Sequence, residues 1–146
     1  VRYAEFLKID FPRLPLVGDR NRFGELCALG AQLIDLHLMN TVPKLKTRYP
    51  VAGDNSIDNL RFEEQGADAP GRVWINSTQY FENVPPHVWG YHIGGFQVCH
   101  KWLKDRKGRN LSYDELTHYR GIVAVLARTI ELQDEIDEAI GEWPFD

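Results

Sequence analysis

Five cations lie close together in the run Lys101-Trp102-Leu103-Lys104-Asp105-Arg106-Lys107-Gly108-Arg109, which contains a single carboxylate. We name them the basic cluster: Lys101, Lys104, Arg106, Lys107 and Arg109. Lys101 and Lys104 are about one helical turn apart, and the other three follow at a glycine-containing terminus, so the cluster could meet a phosphate backbone. A second interpretation stays open, in which the cations complement the dipole at the C-terminus of a helix.

Two further segments have residue types suited to nucleic-acid contacts. The loop cations, Lys44, Lys46 and Arg48, form a weaker candidate for phosphates, because such triplets are common on solvated loops. In Gly94-Gly95-Phe96-Gln97, paired glycines let a backbone approach a ligand closely, and Gln97 could read an adenine edge with two hydrogen bonds. The alternative is that the two glycines only turn the chain.

Residues for catalysis or metal binding do not occur at useful spacings. Cys99 adjoins His100, but neighbouring residues on a helix point in different directions, and no Cys-x-x-Cys or His-x-x-x-His pair is present. We therefore expect no metal site and a buried apolar role for Cys99. A phosphate-binding Gly-rich loop and a Gly-x-Ser-x-Gly motif are both absent from the sequence. The sequence predicts no catalytic residues and no cofactor.

Acidic residues crowd the C-terminus, and residues 131–146 contain no Lys or Arg. Paired carboxylates can act as general acids and bases, but an unrelieved acidic run on a helix is more often a solvated face. We expect a solvated face here, formed by Glu131, Asp134, Glu135, Asp137, Glu138, Glu142 and Asp146.

Helices dominate the predicted elements. A short helix over 2–10 precedes a proline-containing strap over 11–16. Asp19 then caps a helix with leucines at positions 26, 29, 33 and 36, flanked by Phe23, Cys27, Ile34 and Leu38, which predicts a wide, buried apolar face. We expect another helix over 96–106, with Phe96, Cys99, Trp102 and Leu103 facing inward. Ser112-Tyr113-Asp114-Glu115 is a capping box that begins a long final helix.

Between these helices the pattern changes. Residues 40–71 contain many Pro, Gly, Asp and Asn and are expected to form an irregular, loop-rich insertion with short strands. Residues 72–76 favour a strand, and 79–81 could pair back on it, so a small sheet is expected around 73–81. Pro85-Pro86 then opens a helical turn that reaches Trp89. We predict an α+β fold, mostly helical, in which residues 1–146 form a single domain.

Composition and charge narrow the class of protein. The length of 146 residues fits one domain, and 43% hydrophobic with 26% charged residues is typical of a soluble globular protein. A net charge of -4 argues against a uniformly basic nucleic-acid coat protein. The longest apolar stretch, residues 122–127, is far below the ~20 residues of a membrane span. Two cysteines and no signal-peptide pattern favour the cytoplasm, and a chain that starts at Val1 is expected to be part of a longer protein.

The order of several motifs resembles one known family, the C-terminal specificity region of type ISP restriction-modification enzymes. The similarity covers nearly the whole chain except 40–71. It rests on the opening Arg2–Leu16, Leu36-His37-Leu38, Tyr91-His92-Ile93-Gly94-Gly95-Phe96-Gln97-Val98, Lys101–Arg109 with Leu111-Ser112, and Thr129-Ile130-Glu131-Leu132.

This resemblance implies a large bacterial polypeptide with nuclease, ATP-driven translocase and adenine methyltransferase modules, of which this chain is the end of the target-recognition region. The methyltransferase tetrapeptide is missing, since Val84-Pro85-Pro86-His87 does not match it, so no catalytic residue is carried over. The expected partners are double-stranded DNA and the other domains of the parent polypeptide, with no membrane. In that role the basic cluster and loop cations would hold phosphates, and polar residues near Gln97 would meet base edges.

Two other interpretations stay open. The chain could be a docking module that packs the recognition region against the methyltransferase core, with the acidic residues 131–146 pairing with a basic partner. It could also be an independent small enzyme, which requires a deep pocket where histidines or acids converge.

Overall fold

The structure is a computed structural model that describes residues 18–141. The predicted helix over 2–10 and the strap over 11–16 lie outside these residues. Contacts divide the described chain into two compact units, residues 18–41 with 128–141, and residues 42–127. Each unit is described by itself below. The elements are helical and antiparallel β, with more residues in helices than in strands, which confirms the α+β prediction. The extent of the domain, residues 1–146, stays a prediction.

The first helix, α1 (Arg20–His37), begins where the sequence indicates. Asp19 is extended, and its Oδ1 accepts hydrogen bonds from the amides of Asn21 at 2.8 Å and Arg22 at 3.3 Å. These bonds satisfy two of the backbone donors that the first turn leaves unpaired. The prediction that Asp19 is the N-cap is confirmed.

The buried face of α1 is narrower than predicted. Leu29 and Leu36 are buried, so the leucine stripe is the covered face. The flanking Phe23, Ile34 and Leu38 are each exposed over half or more of their surface. The prediction of a wide buried face is therefore wrong. The flanking residues lie on a different side of the helix from the four leucines. Within the described chain, only the side with the leucines is covered.

The last helix, α4 (Tyr113–Ile140), confirms the predicted capping box. Ser112 Oγ accepts a hydrogen bond from the Glu115 amide at 3.1 Å, and Glu115 Oε2 accepts one from the Ser112 amide at 3.0 Å. The helix runs through the buried Gly121 without a break. Its residues 113–127 belong to the second unit, where Tyr119 contributes a fully buried ring.

A three-stranded antiparallel sheet forms the β part of the second unit, in the order β1 (Arg61–Glu63), β2 (Gly71–Trp74) and β3 (Tyr80–Val84). Val73 pairs with Phe81, and both are fully buried. The Phe81 ring lies 4.6 Å from the ring of Tyr119 on α4 and 4.8 Å from that of Tyr49, measured between centroids. The predicted small sheet is confirmed, and its inner face packs on α4 through Phe81.

The irregular segment before β2 is held by one buried side chain. Gln79, in the turn between β2 and β3, accepts hydrogen bonds from the Asn55 amide at 2.9 Å and from Asn76 Nδ2 at 3.0 Å. Its Nε2 donates to the carbonyl of Val51 and to Asn55 Oδ1, both at 3.0 Å. Gln79 is 1% exposed, so its own end of each of these four bonds is shielded from water. Residues 51–55 are thus ordered by a tertiary network without a helix or strand of their own.

Two glycine-to-alanine changes should have opposite effects on stability. A Cβ on Gly53 would lie 2.6 Å from Gln79 Cδ, and Gln79 cannot move without breaking its hydrogen bonds. We expect Gly53→Ala to lower the free energy of unfolding by about 1–3 kcal/mol. Gly24 lies in α1, and no atom lies near the position that a Cβ would take there. Gly24→Ala should therefore raise the free energy of unfolding by up to about 1 kcal/mol. Urea denaturation measures both, and equal shifts of one sign would contradict this account.

The chain after β3 differs from the predicted helix over 96–106. The short helix α2 (Pro86–Trp89) is present as expected and is followed by a hairpin of β4 (His92–Ile93) and β5 (Phe96–Gln97). Helix α3 then covers only Val98–Lys104. Gly94 and Gly95 have positive φ values of 57° and 86°, which favour a two-residue hairpin turn, so Phe96 pairs with Ile93 instead of entering the helix. The prediction that Phe96 faces inward is wrong, whereas Cys99 and Leu103 are buried as expected.

Candidate nucleic-acid interface

The basic cluster occupies α3 and the turns that follow it. Lys101 and Lys104 lie on α3, and the other three cations lie between α3 and α4. Backbone bonds hold this connection, since the Gly108 amide donates to the Ile57 carbonyl at 2.9 Å and the Ile57 amide donates to the Arg109 carbonyl at 3.0 Å. Gly108 has φ of 81°, which glycine adopts without strain. The structure therefore brings the five cations onto one anchored segment.

Three cations of the cluster have partners. Lys101 Nζ lies 2.8 Å from Asp105 Oδ2, one helical turn away. The Arg106 guanidinium lies 3.7 Å from the centroid of the Trp102 ring, and its Nη1 donates to the Trp102 carbonyl at 2.9 Å. Arg109 Nη2 lies 3.1 Å from Glu115 Oε1. Stacking and hydrogen bonding thus fix Arg106, while Arg109 is held by a more exposed ion pair.

The side chains of the two remaining cations, Lys104 and Lys107, are exposed and form no hydrogen bond or ion pair with the described part of the chain. An exposed lysine keeps a mobile, strongly hydrated ammonium group that can pair with an incoming anion without breaking an existing contact. Asp105 and Glu115 are the carboxylates paired with this cluster, so its five cations keep a local excess of positive charge.

Glu115 links the cluster to the helix cap. Its carboxylate accepts a hydrogen bond from the Ser112 amide, and its Oε1 lies 3.1 Å from Arg109 Nη2 and 3.6 Å from Arg106 Nε. The hydrogen bond from Ser112, with smaller contributions from Arg109 and Arg106, holds the pKa of the Glu115 carboxyl below its usual value. Glu115 is therefore charged at neutral pH and screens two arginines of the cluster.

The loop cations lie next to β3. Arg48 forms an isolated antiparallel bridge with Glu82, and its Nε lies 2.9 Å from Glu82 Oε1. The backbone carbonyl of Lys46 accepts a hydrogen bond from Asn83 Nδ2 at 2.9 Å. All three side chains, including Lys44, are exposed. Lys46 and Arg48 therefore lie beside β3, at the edge of the sheet.

Gln97 is half-buried, and its Nε2 donates to the Trp89 carbonyl at 2.7 Å. This bond joins β5 to the end of α2, so the side chain has a structural contact within the unit. The interpretation that Gly94 and Gly95 turn the chain is confirmed by the hairpin. A contact between Gln97 and a base edge stays a prediction.

The outer face of the sheet carries two cations that the sequence interpretation missed. The guanidinium of Arg61 lies 4.6 Å from the centroid of the Trp74 ring, and that of Arg72 lies 4.7 Å from that of Tyr80. The two rings are themselves 4.6 Å apart. Alternation along β2 does predict that Arg72 and Trp74 share a face, but the strand register that adds Arg61 and Tyr80 depends on tertiary pairing.

Cys99 is fully buried, as predicted, and its Sγ lies 3.7 Å from the Val88 carbonyl. Burial raises the pKa of this thiol to about 12, so Cys99 is not a thiolate at neutral pH. Within residues 18–141, no group of three or more His, Cys, Asp or Glu side chains could hold a metal ion. Over the same residues, no helix has both the length and the apolar character to cross a bilayer.

Comparisons with known proteins give one family and similar solved structures. The family model described as the Type ISP C-terminal specificity domain matches residues 1–135. No curated protein matches the chain. One similar solved structure is a nuclease-deletion mutant of the Type ISP restriction-modification enzyme LlaGI in complex with a DNA substrate mimic, with 20% identity and a TM-score of 0.66 over 94% of this chain. Another is the ATP-dependent Type ISP restriction-modification enzyme LlaBIII bound to DNA, with 18% identity and a TM-score of 0.66 over 99% of this chain.

At these identities the two structures establish a shared fold. The chain corresponds to 12% of the length of the LlaGI chain and 10% of that of LlaBIII, so it spans a small part of either enzyme. The family model, in contrast, covers nearly the whole sequence. The chain therefore belongs to the Type ISP C-terminal specificity domain family.

Proposed function

We propose that this chain takes part in DNA target recognition within a Type ISP restriction-modification enzyme, and that the basic cluster contacts the phosphates of double-stranded DNA. Membership of a specificity-domain family supports this role, as does a fold shared with two Type ISP enzymes in complex with DNA or a DNA mimic. In this proposal the chain needs no cofactor and has no catalysis of its own. Nuclease, translocase and methyltransferase activities belong to the cytoplasmic parent polypeptide, whose other domains are further partners.

One observation carries the assignment of the cluster. Lys104 and Lys107 are exposed without partners in the described chain, next to the fixed guanidinium of Arg106. A helix dipole alone does not need cations beyond the last turn, and Arg106, Lys107 and Arg109 follow the end of α3. Phosphate binding gives the cations beyond α3 a role, because each neutralised phosphate releases counterions.

Base recognition is assigned to other groups. Phosphate contacts fix the register of a protein on the duplex and carry no sequence information, whereas contacts to base edges specify. We assign the phosphates to the basic cluster and, with fewer contacts, to Lys44, Lys46 and Arg48. Gln97 and the loops near it are assigned to the grooves, where the Gln97 amide would have to leave the Trp89 carbonyl to read a base.

Fluorescence anisotropy of a labelled duplex tests the proposal. The chain should bind, and its affinity should fall steeply between 50 and 200 mM salt, because displaced counterions oppose binding as salt rises. No binding at 50 mM salt would contradict DNA contact by this chain.

Removing the charge of Glu115 should strengthen DNA binding. Glu115→Gln keeps a side chain that can complete the capping box but releases Arg106 and Arg109 from their counterion. We expect higher affinity and a salt dependence steeper by about one phosphate contact, close to 0.9 in the slope of log K against log salt. Anisotropy titrations at several salt concentrations measure both quantities. Glu131→Gln, an exposed residue paired with Arg128, is the charge-matched control, and weaker binding by Glu115→Gln would contradict the assignment.

A docking role is the second candidate. The exposed Phe23, Ile34 and Leu38 of α1 form an apolar surface that a neighbouring domain of the parent could cover. Replacing Ile34 and Leu38 with Glu should then weaken association between this chain and the separately produced remainder of the enzyme, measured by calorimetry. An unchanged association constant would exclude this surface from the interface.

A further inference from the structure

The hairpin of β4 and β5 ends in a pair of exposed apolar side chains. Ile93 and Phe96 are cross-strand partners directly before and after the Gly94–Gly95 turn. Ile93 is 48% exposed and Phe96 is 58% exposed. Large apolar residues are expected to be buried, and two of them at the tip of one hairpin form a small patch that another molecule could cover.

The base of the hairpin is held in place. Gln97 Nε2 donates to the Trp89 carbonyl at 2.7 Å, the His92 ring Nδ1 lies 2.7 Å from the Gly90 carbonyl, and the Val98 amide donates to the Tyr91 carbonyl at 3.2 Å. These contacts tie the hairpin and the first residue of α3 to the end of α2 and the two residues that follow it. The hairpin is thus anchored at its base while its two apolar tip residues stay exposed, so little ordering is needed when a partner covers them.

The charge around the tip selects the class of partner. Lys101 Nζ lies 5.2 Å from the centroid of the Phe96 ring, and Lys104, also on α3, has no partner in the described chain. Residues 83–104 contain no Asp or Glu. Lys101 also pairs with Asp105 at 2.8 Å, so Lys104 is the lysine of α3 whose side chain has no counterion in the described chain. An apolar tip beside cations complements a polyanion with apolar surfaces between its charges, which is the arrangement of bases and phosphates in DNA.

We propose that Ile93 and Phe96 form an apolar wedge that contacts the bases of the DNA duplex, while Lys101 and Lys104 hold the adjacent phosphates. The inference rests on the proposed function and adds the element that reaches the bases. A two-stranded ribbon fits in the major groove, and apolar side chains in other DNA-binding proteins contact thymine methyl groups or insert at base steps. The wedge itself forms no hydrogen bonds with the bases, unlike the contact assigned to Gln97.

Salt dependence separates a wedge from a phosphate contact. Phe96→Ala and Ile93→Ala should each weaken binding to duplex DNA, by about tenfold for Phe96, with the slope of log K against log salt unchanged, because neither removes a charge. Phe96→Leu should recover most of the affinity. Phe23→Ala, which truncates an exposed aromatic residue of α1, is the matched control and should bind DNA as tightly as the unsubstituted chain.

The outcomes distinguish the wedge from the wider function. If the unsubstituted chain binds DNA and both alanine variants bind it with the same affinity, the wedge is wrong and the proposed function stands. A weaker affinity with a flatter salt slope would also overturn the wedge, because it would report lost phosphate contacts. Failure of the unsubstituted chain to bind duplex DNA at low salt would overturn both proposals. Circular dichroism spectra and thermal melts of each variant verify that its fold is retained.

Discussion

Replacing Lys104 and Lys107 together with glutamine is expected to flatten the salt dependence of DNA binding. Both side chains are exposed and unpaired within the described residues, so the double variant removes two charges without breaking an ion pair. If each contacts one phosphate, the slope of log K against log salt falls by about 1.8. When salt rises from 50 to 200 mM, the fold loss in affinity should then be roughly ten times smaller for the variant than for the unsubstituted chain. Anisotropy titrations across this range measure the effect.

A variant with the same change in net charge controls for long-range electrostatics. Arg20→Gln with Arg22→Gln removes two exposed cations from α1 and should leave the slope nearly unchanged. If this control flattens the slope as much as the lysine variant does, the effect comes from net charge and the basic cluster has no special role. An unchanged slope in the lysine variant would remove Lys104 and Lys107 from the phosphate contacts.

Gln79→Leu should cause the largest loss of stability among the changes considered. The substitution leaves the Asn55 amide, Asn55 Oδ1, Asn76 Nδ2 and the Val51 carbonyl without the partner that Gln79 supplies. Buried groups that lose their partners cost about 1–3 kcal/mol each, and some of these keep other bonds. We expect a loss of at least roughly 3 kcal/mol in the free energy of unfolding, measured by urea denaturation at constant m-value.

Ser77→Ala is the control, because Ser77 is an exposed residue of the same turn. It should change stability by less than about 0.5 kcal/mol. A loss for Gln79→Leu as small as that of the control would mean that solvent replaces the network at little cost.

The Gln79 network also bears on the basic cluster. Asn55 accepts a backbone hydrogen bond from Leu111 at 2.9 Å, and Ile57 exchanges bonds with Gly108 and Arg109. The chain from Asn55 to Ile57 is therefore the support on which the turns after α3 rest. Any substitution that loosens residues 51–57 is expected to disorder the cations between α3 and α4 as well.

Local sequence signals predicted the elements whose hydrogen bonds lie close together in the chain. Asp19 and Ser112 begin helices because their side chains reach amides two or three residues away. The β-branched and aromatic residues within 72–76 predicted β2, since such side chains pack well on a pleated surface. The family could also be suggested from the order of motifs, and the family model bears this out.

Tertiary structure decided the rest, because those features depend on residues far apart in sequence. The burial of Gln79 requires residues 51–55, and the cation–aromatic contacts of Arg61 and Arg72 require the register of three strands. Phe96 is an exception, because the Gly94–Gly95 turn that pairs it with Ile93 is a local signal. The apolar side chain of Phe96 suits the inner face of a helix, but the hairpin places it in a strand and leaves it exposed. The sequence by itself determined that cations gather at 101–109. Only the fold decided which of these cations have a counterion. Glu115, which also completes the helix cap, pairs with Arg109, whereas the side chains of Lys104 and Lys107 pair with no carboxylate in the described chain.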